Sequence, residues 1–167
     1  MAAVTNYSEE LTSRLEELVV SLGGSLPSRD KVWAIDDYHL DLLSAAVTAQ
    51  SGGATFTIGA ENTNAINVAV QLTDGAGAAV AKRTTVYAYL SNDANGDAIV
   101  SSGTLTSAAI GTDGLADPVT TNKSFMITSE ADGQFDLTVT DTGTPTMYLI
   151  VVLPNGKRVA SGAITFA

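Results

Sequence analysis

Within short segments between residues 54 and 167, apolar side chains recur at every second position. Phe56 and Ile58 alternate with threonines, and the same period holds for three further apolar sets: Val68, Val70 and Leu72; Val86, Ala88 and Leu90; Phe135, Leu137 and Val139. Successive side chains of a β-strand point to opposite faces of its sheet. This period of two therefore predicts half-buried strands and a mainly β fold.

Clusters of turn-forming residues separate these segments: "TDGAG", "NDANGD", "TDGLADP", "ADG" and "PNG". They recur at intervals of roughly 8–12 residues or somewhat more, which is typical of β-sandwiches. The pattern predicts about eight strands, near the number in immunoglobulin-like folds, namely Ala54–Gly59, Ile66–Thr73, Thr84–Ser91, Ile99–Leu105, Ser124–Thr128, Gln134–Thr140, Tyr148–Leu153 and Arg158–Phe166. We therefore expect an immunoglobulin-like antiparallel β-sandwich.

For two of these strands the sequence allows more detailed predictions. Alternation places Leu137 in the core and Asp136 in water, so Leu137→Asp should be severely destabilising and Asp136→Ala nearly silent. Tyr148 to Leu153 is apolar on both faces, as in a central strand, and Asn155-Gly156 should supply the positive-φ residues of a tight turn.

The first 50 residues have a helical period instead. Leu11, Leu15, Leu18 and Leu22 are spaced 4, 3 and 4 apart, like the seam of a coiled coil. The stripe either packs on the chain's own body or joins copies of the chain. A second helix is expected from Asp36 or Asp37 to Gln50. With "QSGGA" as a linker, the chain divides into a short helical amino-terminal segment, residues 1–50, and a sandwich domain, residues 54–167.

Composition narrows the classes of function. Lys and Arg total 8 against 18 Asp and Glu, a net charge of −10, which disfavours binding to nucleic acid or to anionic membranes. Cysteine is absent, which removes disulfides and thiolate metal sites. The first residues show no signal-peptide pattern, and the apolar run from Met147 to Leu153 is too short for a membrane helix. We expect a soluble protein made in a cytoplasm.

No catalytic constellation is predicted. His39 is the one histidine of the chain, and no phosphate-binding glycine motif is present. "NDANGD" spaces Asp93, Asn95 and Asp97 like the start of a calcium loop, but Ala98 and Thr104 stand where an EF-hand needs glycine and glutamate. An Asx-rich turn is the favoured interpretation, and a calcium-dependent enzyme or carbohydrate-binding module the alternative. We expect a protein that is not an enzyme, with no cofactor and no metal.

Two segments carry a family resemblance. "INVAVQLTDGAGAAVAKRTTVYAYLS", followed by "SEADGQFDLTV", resembles bacterial immunoglobulin-like domains, and "ADGQFDLTVTDTGTPTMYLIVVLPNGKRVASGAITFA" is similar to the endings of structural proteins of tailed bacteriophages. The resemblance covers roughly residues 54–167.

The resemblance implies a virion structural protein of the capsid-decoration or head-fibre type. Its expected place is the capsid surface, its expected partner the major capsid protein, and its expected state a homo-oligomer, with a trimer favoured because phage shells offer threefold sites. A tail or fibre component whose sandwich adheres to cells or glycans is the alternative.

Overall fold

The computed structural model describes residues 51–167, which fold into ten β-strands. The strands are β1 (Ser51–Ile58), β2 (Ala65–Asp74), β3 (Thr85–Ser91), β4 (Leu105–Ile110), β5 (Leu115–Thr120), β6 (Ser124–Thr128), β7 (Gln134–Asp141), β8 (Thr146–Val152), β9 (Arg158–Ala160) and β10 (Ile164–Thr165). The predicted helices and the seam of Leu11, Leu15, Leu18 and Leu22 lie outside the described residues.

The strands form two antiparallel sheets. The four-stranded sheet has the order β1-β2-β7-β4, and the six-stranded sheet has the order β10-β8-β3-β6-β5, with β9 also paired to β8. The fold of these residues is therefore mainly β and consistent with a β-sandwich, as the alternation predicted.

The core lies between the two sheets, where the apolar faces of their strands meet. The fully buried side chains come from both sheets, and the largest of them include Phe135, Phe166, Leu72, Leu90, Leu137 and Leu149. β8 lies between β3 and β9/β10, and its Leu149, Ile150 and Val151 are all buried. The expectation of a central strand at this position is confirmed.

Three of the turns that the glycine clusters predicted share one geometry. The loop after β8 shows it: Gly156 donates its N–H to the Leu153 C=O (2.8 Å), Leu153 donates to the Lys157 C=O (2.9 Å), and Gly156 has φ +81°. This is the three-residue hairpin loop in which a left-handed residue follows a tight turn. Glycine alone takes the positive φ here, so the expectation that Asn155 shares it is wrong.

One predicted strand is wrong and two strands were missed. Ile99–Leu105 is not a strand: it makes a single bridge, from Ile99 to Ser91, and buries Val100 against the core. β4 begins where that prediction ended, and β5 follows it. These two strands lack clean alternation and β5 contains Pro118, which is tolerated because β5 is at the edge of its sheet.

The predicted last strand, Arg158–Phe166, is interrupted between β9 and β10. At the interruption Ser161 is buried, and its Oγ accepts a hydrogen bond from the Leu149 N–H (2.9 Å), while the Ser161 N–H donates to the Leu149 C=O (2.9 Å). A serine hydroxyl thus takes the place of a backbone carbonyl in the ladder, and β8 keeps a partner along its length.

Asp136 does not face water, which corrects the expectation from alternation. Its side chain is only 6% exposed. Its carboxylate accepts hydrogen bonds from the N–H groups of Thr112 (2.8 Å) and Asp113 (2.7 Å) and from the Asn67 amide (2.5 Å). The loop between β4 and β5 crosses from one sheet to the other here, so Asp136 satisfies the backbone donors of that crossing.

Candidate interaction surface

The outer face of the six-stranded sheet carries a row of side chains that crosses five strands. Residues paired directly across antiparallel strands share one face of the sheet. The pairings join, in order from β5 to β9, Asp117, Met126, Tyr87, Val152 and Arg158. We call these five residues the outer row. It is apolar at its centre and has an acidic residue at one end and a basic residue at the other.

A loop covers the neighbouring part of the same face. Tyr89, one row away from Tyr87, donates its hydroxyl to the Gly96 C=O (2.5 Å), and Arg158 donates to the same carbonyl (3.3 Å). Tyr89 and Ile150 are consequently buried beneath the loop of residues 92–98. The two tyrosine rings lie 5.7 Å apart between centroids. The loop thus divides this face of the sheet into a covered half, which includes Tyr89, and an uncovered half. The buried Tyr89 ring supports the ring of Tyr87, which lies where the uncovered half begins.

The uncovered half exposes large apolar side chains. Met126 is 42% exposed, and Leu115, which lies on the same face of β5 as Asp117, is 65% exposed. Tyr87 and Val152 are partly exposed beside them. Clustered exposed apolar side chains on a sheet mark candidate contact sites for other molecules, so the outer row and Leu115 are the candidate interaction surface.

"NDANGD" forms the covering loop and is an Asx turn. Asp93 Oδ1 accepts hydrogen bonds from the N–H groups of Asn95 and Gly96, both at 2.8 Å. Burial raises the pKa of Asp93, but hydrogen bonds with the Asp97 carboxyl and with backbone N–H groups outweigh burial and lower the pKa. The first carboxylate of the suggested calcium set is thus used in the turn itself, as the favoured interpretation predicted.

Besides Asp136, a second buried carboxylate lies at the end of β7. Asp141 is fully buried and accepts hydrogen bonds from Ser102 Oγ (2.7 Å), Thr104 Oγ1 (2.5 Å) and the Gly143 N–H (2.8 Å). It ties the segment before β4 to the loop after β7. The carboxylates at positions 136 and 141 therefore hold loops in place, and both are occupied by structural donors.

Among residues 51–167, no group of three or more His, Cys, Asp or Glu side chains is arranged to hold a metal ion. The same residues include no helix long and apolar enough to cross a membrane. The four leucines of the predicted seam and His39 lie outside this part of the chain.

The sequence contains one indication of the candidate surface beyond the alternation that predicts the strands. In β3 the inward set of Val86, Ala88 and Leu90 alternates with Tyr87 and Tyr89, which are aromatic where a solvated face would be polar. The other members of the row become neighbours only through the strand order, which alternation does not specify.

No protein-family model matches the chain, and no curated protein sequence matches it. Among solved structures, a cohesin module from a family 33 glycoside hydrolase of Clostridium perfringens matches with a TM-score of 0.34 and 11% identity, over 70% of this chain and 94% of that one. A likeness this distant has no bearing on function.

Proposed function

We propose that this chain is a tailed-bacteriophage virion protein that decorates or cements the capsid surface and has no enzymatic role. The virion assignment rests on the resemblance of residues 54–167 to phage structural proteins. The observation that carries an interaction role is the outer row, where Met126, Tyr87 and Val152 form an exposed apolar strip between Asp117 and Arg158.

The strand order supports the finer, immunoglobulin-like assignment of the sandwich. In such domains strands A, B, E and D form one sheet, and C, F and G form the other. The order β1-β2-β7-β4 matches the first sheet, and β3, β8 and β9/β10 match the second. The β5–β6 hairpin is then an addition that extends the second sheet beyond β3 and contributes Met126 and Leu115 to the exposed face.

A rigid sheet suits attachment to a repeating shell. Its side chains lose little conformational freedom on binding, and many weak contacts become strong when the copies are linked. We propose linkage into a homo-oligomer, a trimer, through Leu11, Leu15, Leu18 and Leu22, with the major capsid protein as the partner of the assembled protein. The acidic net charge of −10 disfavours nucleic acid as the partner.

Locating the protein in purified particles tests the proposal. Shells that lack the protein are incubated with the full chain and imaged, and we expect added density at regular positions on the capsid. The double variant Tyr87→Ser/Met126→Ser should bind the shells at least tenfold more weakly, because two apolar contacts are lost. Ile99→Ser, which removes an exposed apolar side chain outside β5 and β6, is the control and should bind normally.

Two results would contradict the proposal. Density at the tail instead of the shell would support the alternative, a tail or fibre component with an adhesive sandwich, and binding to cells or glycans would then follow. Equal binding by the double variant and by Ile99→Ser would show that the outer row does not contact the capsid, even if the protein is on the shell.

A further inference from the structure

β1 is an edge strand of the four-stranded sheet, and among residues 51–167 nothing covers the outer side of its stretch from Ala54 to Ile58. Gly59 donates its N–H to the Asn67 C=O (2.8 Å). Because backbone groups in an antiparallel ladder alternate in direction, Thr55 and Thr57 bond to β2, while Ala54, Phe56 and Ile58 direct their N–H and C=O groups away from it. Among the described residues, no partner bonds to these outward groups.

The remaining edges are blocked. On β4, Asn122 of the β5–β6 hairpin donates to the Thr106 C=O (2.9 Å) and accepts from the Ala108 N–H (3.4 Å). β5 carries Asp117 and Pro118, and β9 and β10 are only three and two residues long. Charges, proline and short length are the usual defences of sheet edges. β1 has eight residues, none of them charged and none of them proline.

The sequence of β1 is nearly symmetric about Phe56. The stretch Gly53 to Gly59 reads G-A-T-F-T-I-G, so a twofold axis through Phe56 pairs glycine with glycine and threonine with threonine. A twofold interface brings the same patch of two copies together. The whole chain carries a net charge of −10, but β1 has no charged residue, so self-pairing brings two uncharged strands together.

We infer that β1 of one copy pairs antiparallel with β1 of a second copy, so that the two four-stranded sheets become one continuous sheet of eight strands. Phe56 then forms the central hydrogen-bonded pair with its own equivalent. Ala54 pairs with Ile58 of the second copy on the core side, and Thr55 pairs with Thr57 of the second copy on the exposed side. This contact uses a different part of the chain from the leucine seam and does not depend on a virion location.

Charges flanking β1 favour the same arrangement. Lys157 lies at one end of β1, where its Nζ donates to the Gly52 C=O (3.0 Å). Glu61 lies just beyond the other end, where its carboxylate accepts a hydrogen bond from the Ala167 N–H (2.8 Å). Antiparallel pairing about Phe56 brings the lysine of each copy to the end that carries the glutamate of the other.

Two double variants with equal numbers of new charges test the register. Thr55→Lys/Thr57→Lys places lysine opposite lysine at both exposed pairs, whereas Thr55→Glu/Thr57→Lys places glutamate opposite lysine. Both are made in the full chain that also carries Leu15→Ser/Leu18→Ser, so the amino-terminal seam does not contribute. Sedimentation equilibrium at about 100 µM suits a contact this small.

We expect a dimer for the Leu15→Ser/Leu18→Ser parent and for the glutamate–lysine variant, and a monomer for the lysine–lysine variant. Net charge alone predicts the opposite order, because the two lysines make the acidic chain less repulsive. A monomeric parent, or identical behaviour of the two strand variants, would overturn the inference.

Hydrogen exchange gives a second readout in the Leu15→Ser/Leu18→Ser parent. The amides of Phe56 and Ile58 should exchange at least tenfold more slowly at high than at low protein concentration, and the lysine–lysine variant should lose this difference. The amides of Thr55 and Thr57, which bond to β2, report that the sheet is folded. Protection of Phe56 that does not depend on concentration would mean that the same chain covers the edge, and the inference would be wrong.

Discussion

Neighbouring side chains in β7 are both buried, for different reasons. Leu137 is fully buried in the core, whereas Asp136 is buried on the opposite side of the strand by the loop between β4 and β5. A buried carboxylate is stable there because backbone N–H groups and an amide bond to it. Alternation of apolar and polar residues predicts which face of a strand packs on the core. It fails at Asp136 because a loop covers the face that would otherwise be exposed to solvent.

Substitutions at the two positions should therefore both destabilise the protein. Leu137→Asp buries an unpaired carboxylate and should cost several kcal/mol. Asp136→Ala leaves the N–H groups of Thr112 and Asp113 without their acceptor, removes one of the two hydrogen bonds that the Asn67 amide donates, and should cost about 1–3 kcal/mol. Asp117→Ala, at an exposed position, is the control and should stay within about 0.5 kcal/mol. Urea unfolding midpoints measure all three, and a silent Asp136→Ala would contradict the role of its hydrogen bonds.

Asp141 should make the stability depend on pH in the acid range. Burial raises the pKa of its carboxyl, but hydrogen bonds from the Thr104 hydroxyl, the Gly143 N–H and the Ser102 hydroxyl outweigh burial and lower it below 3.8. A pKa that is lower in the folded state contributes stability above the unfolded value, and this contribution is lost as the pH falls through the folded pKa.

Asp141→Asn removes that titration. The variant should be less stable than the wild type at pH 7, and the difference should shrink as the pH falls below about 4. Unfolding free energies measured from pH 7 to pH 2 provide the check. A difference that stays constant over this range would show that ionisation of Asp141 does not stabilise the fold.

At the level of elements, the sequence predicted the strands whose burial leaves a clear pattern and missed those whose burial does not. β2, β3 and β7 have one face in the core, and their apolar period reveals it, whereas β8 was predicted from its continuous apolar run. β4 and β5 lie at the edges of different sheets; β4 fully buries only Ala108 and β5 fully buries no side chain, so burial leaves little pattern in them. The outer row was equally hidden, since its members come from five strands that only the pairing brings together.

The hydrogen bonds between the β5–β6 hairpin and the edge strand β4 depend on one asparagine. Asn122 has φ +60°, a conformation that asparagine tolerates better than most residues, and its side-chain amide bonds to both Thr106 and Ala108 of β4. Asn122 thus adopts the left-handed backbone conformation of the turn and also protects the edge of β4.

Two substitutions separate these contributions. Asn122→Gly keeps the left-handed backbone accessible and loses the hydrogen bonds, at a cost of about 1 kcal/mol. Asn122→Ala loses the bonds and also strains the backbone, so it should cost about 1 kcal/mol more. Denaturant unfolding measures the difference, and hydrogen exchange at Ala108 should accelerate in both variants. If glycine were no better than alanine, the positive φ would not be a constraint at this position.

At the scale of the whole molecule, the sandwich contains its own core. The buried apolar side chains of both sheets contact one another within residues 66–166. β1 begins at Ser51, so four of the five residues of the predicted linker "QSGGA" belong to the first strand instead. Each sheet supplies the apolar face that the other needs, which is the condition for a domain that folds alone.

A chain reduced to residues 51–167 should therefore remain soluble and β-rich and unfold in a single cooperative transition. Circular dichroism and urea unfolding test this, and different probes should report coincident transitions. The probes cannot use tryptophan fluorescence, because Trp33 is removed with the first 50 residues. The denaturant slope should be that of a chain of this size, because the slope scales with the surface exposed on unfolding. A disordered fragment would show that residues 1–50 complete the core, and the division into two domains would then be wrong.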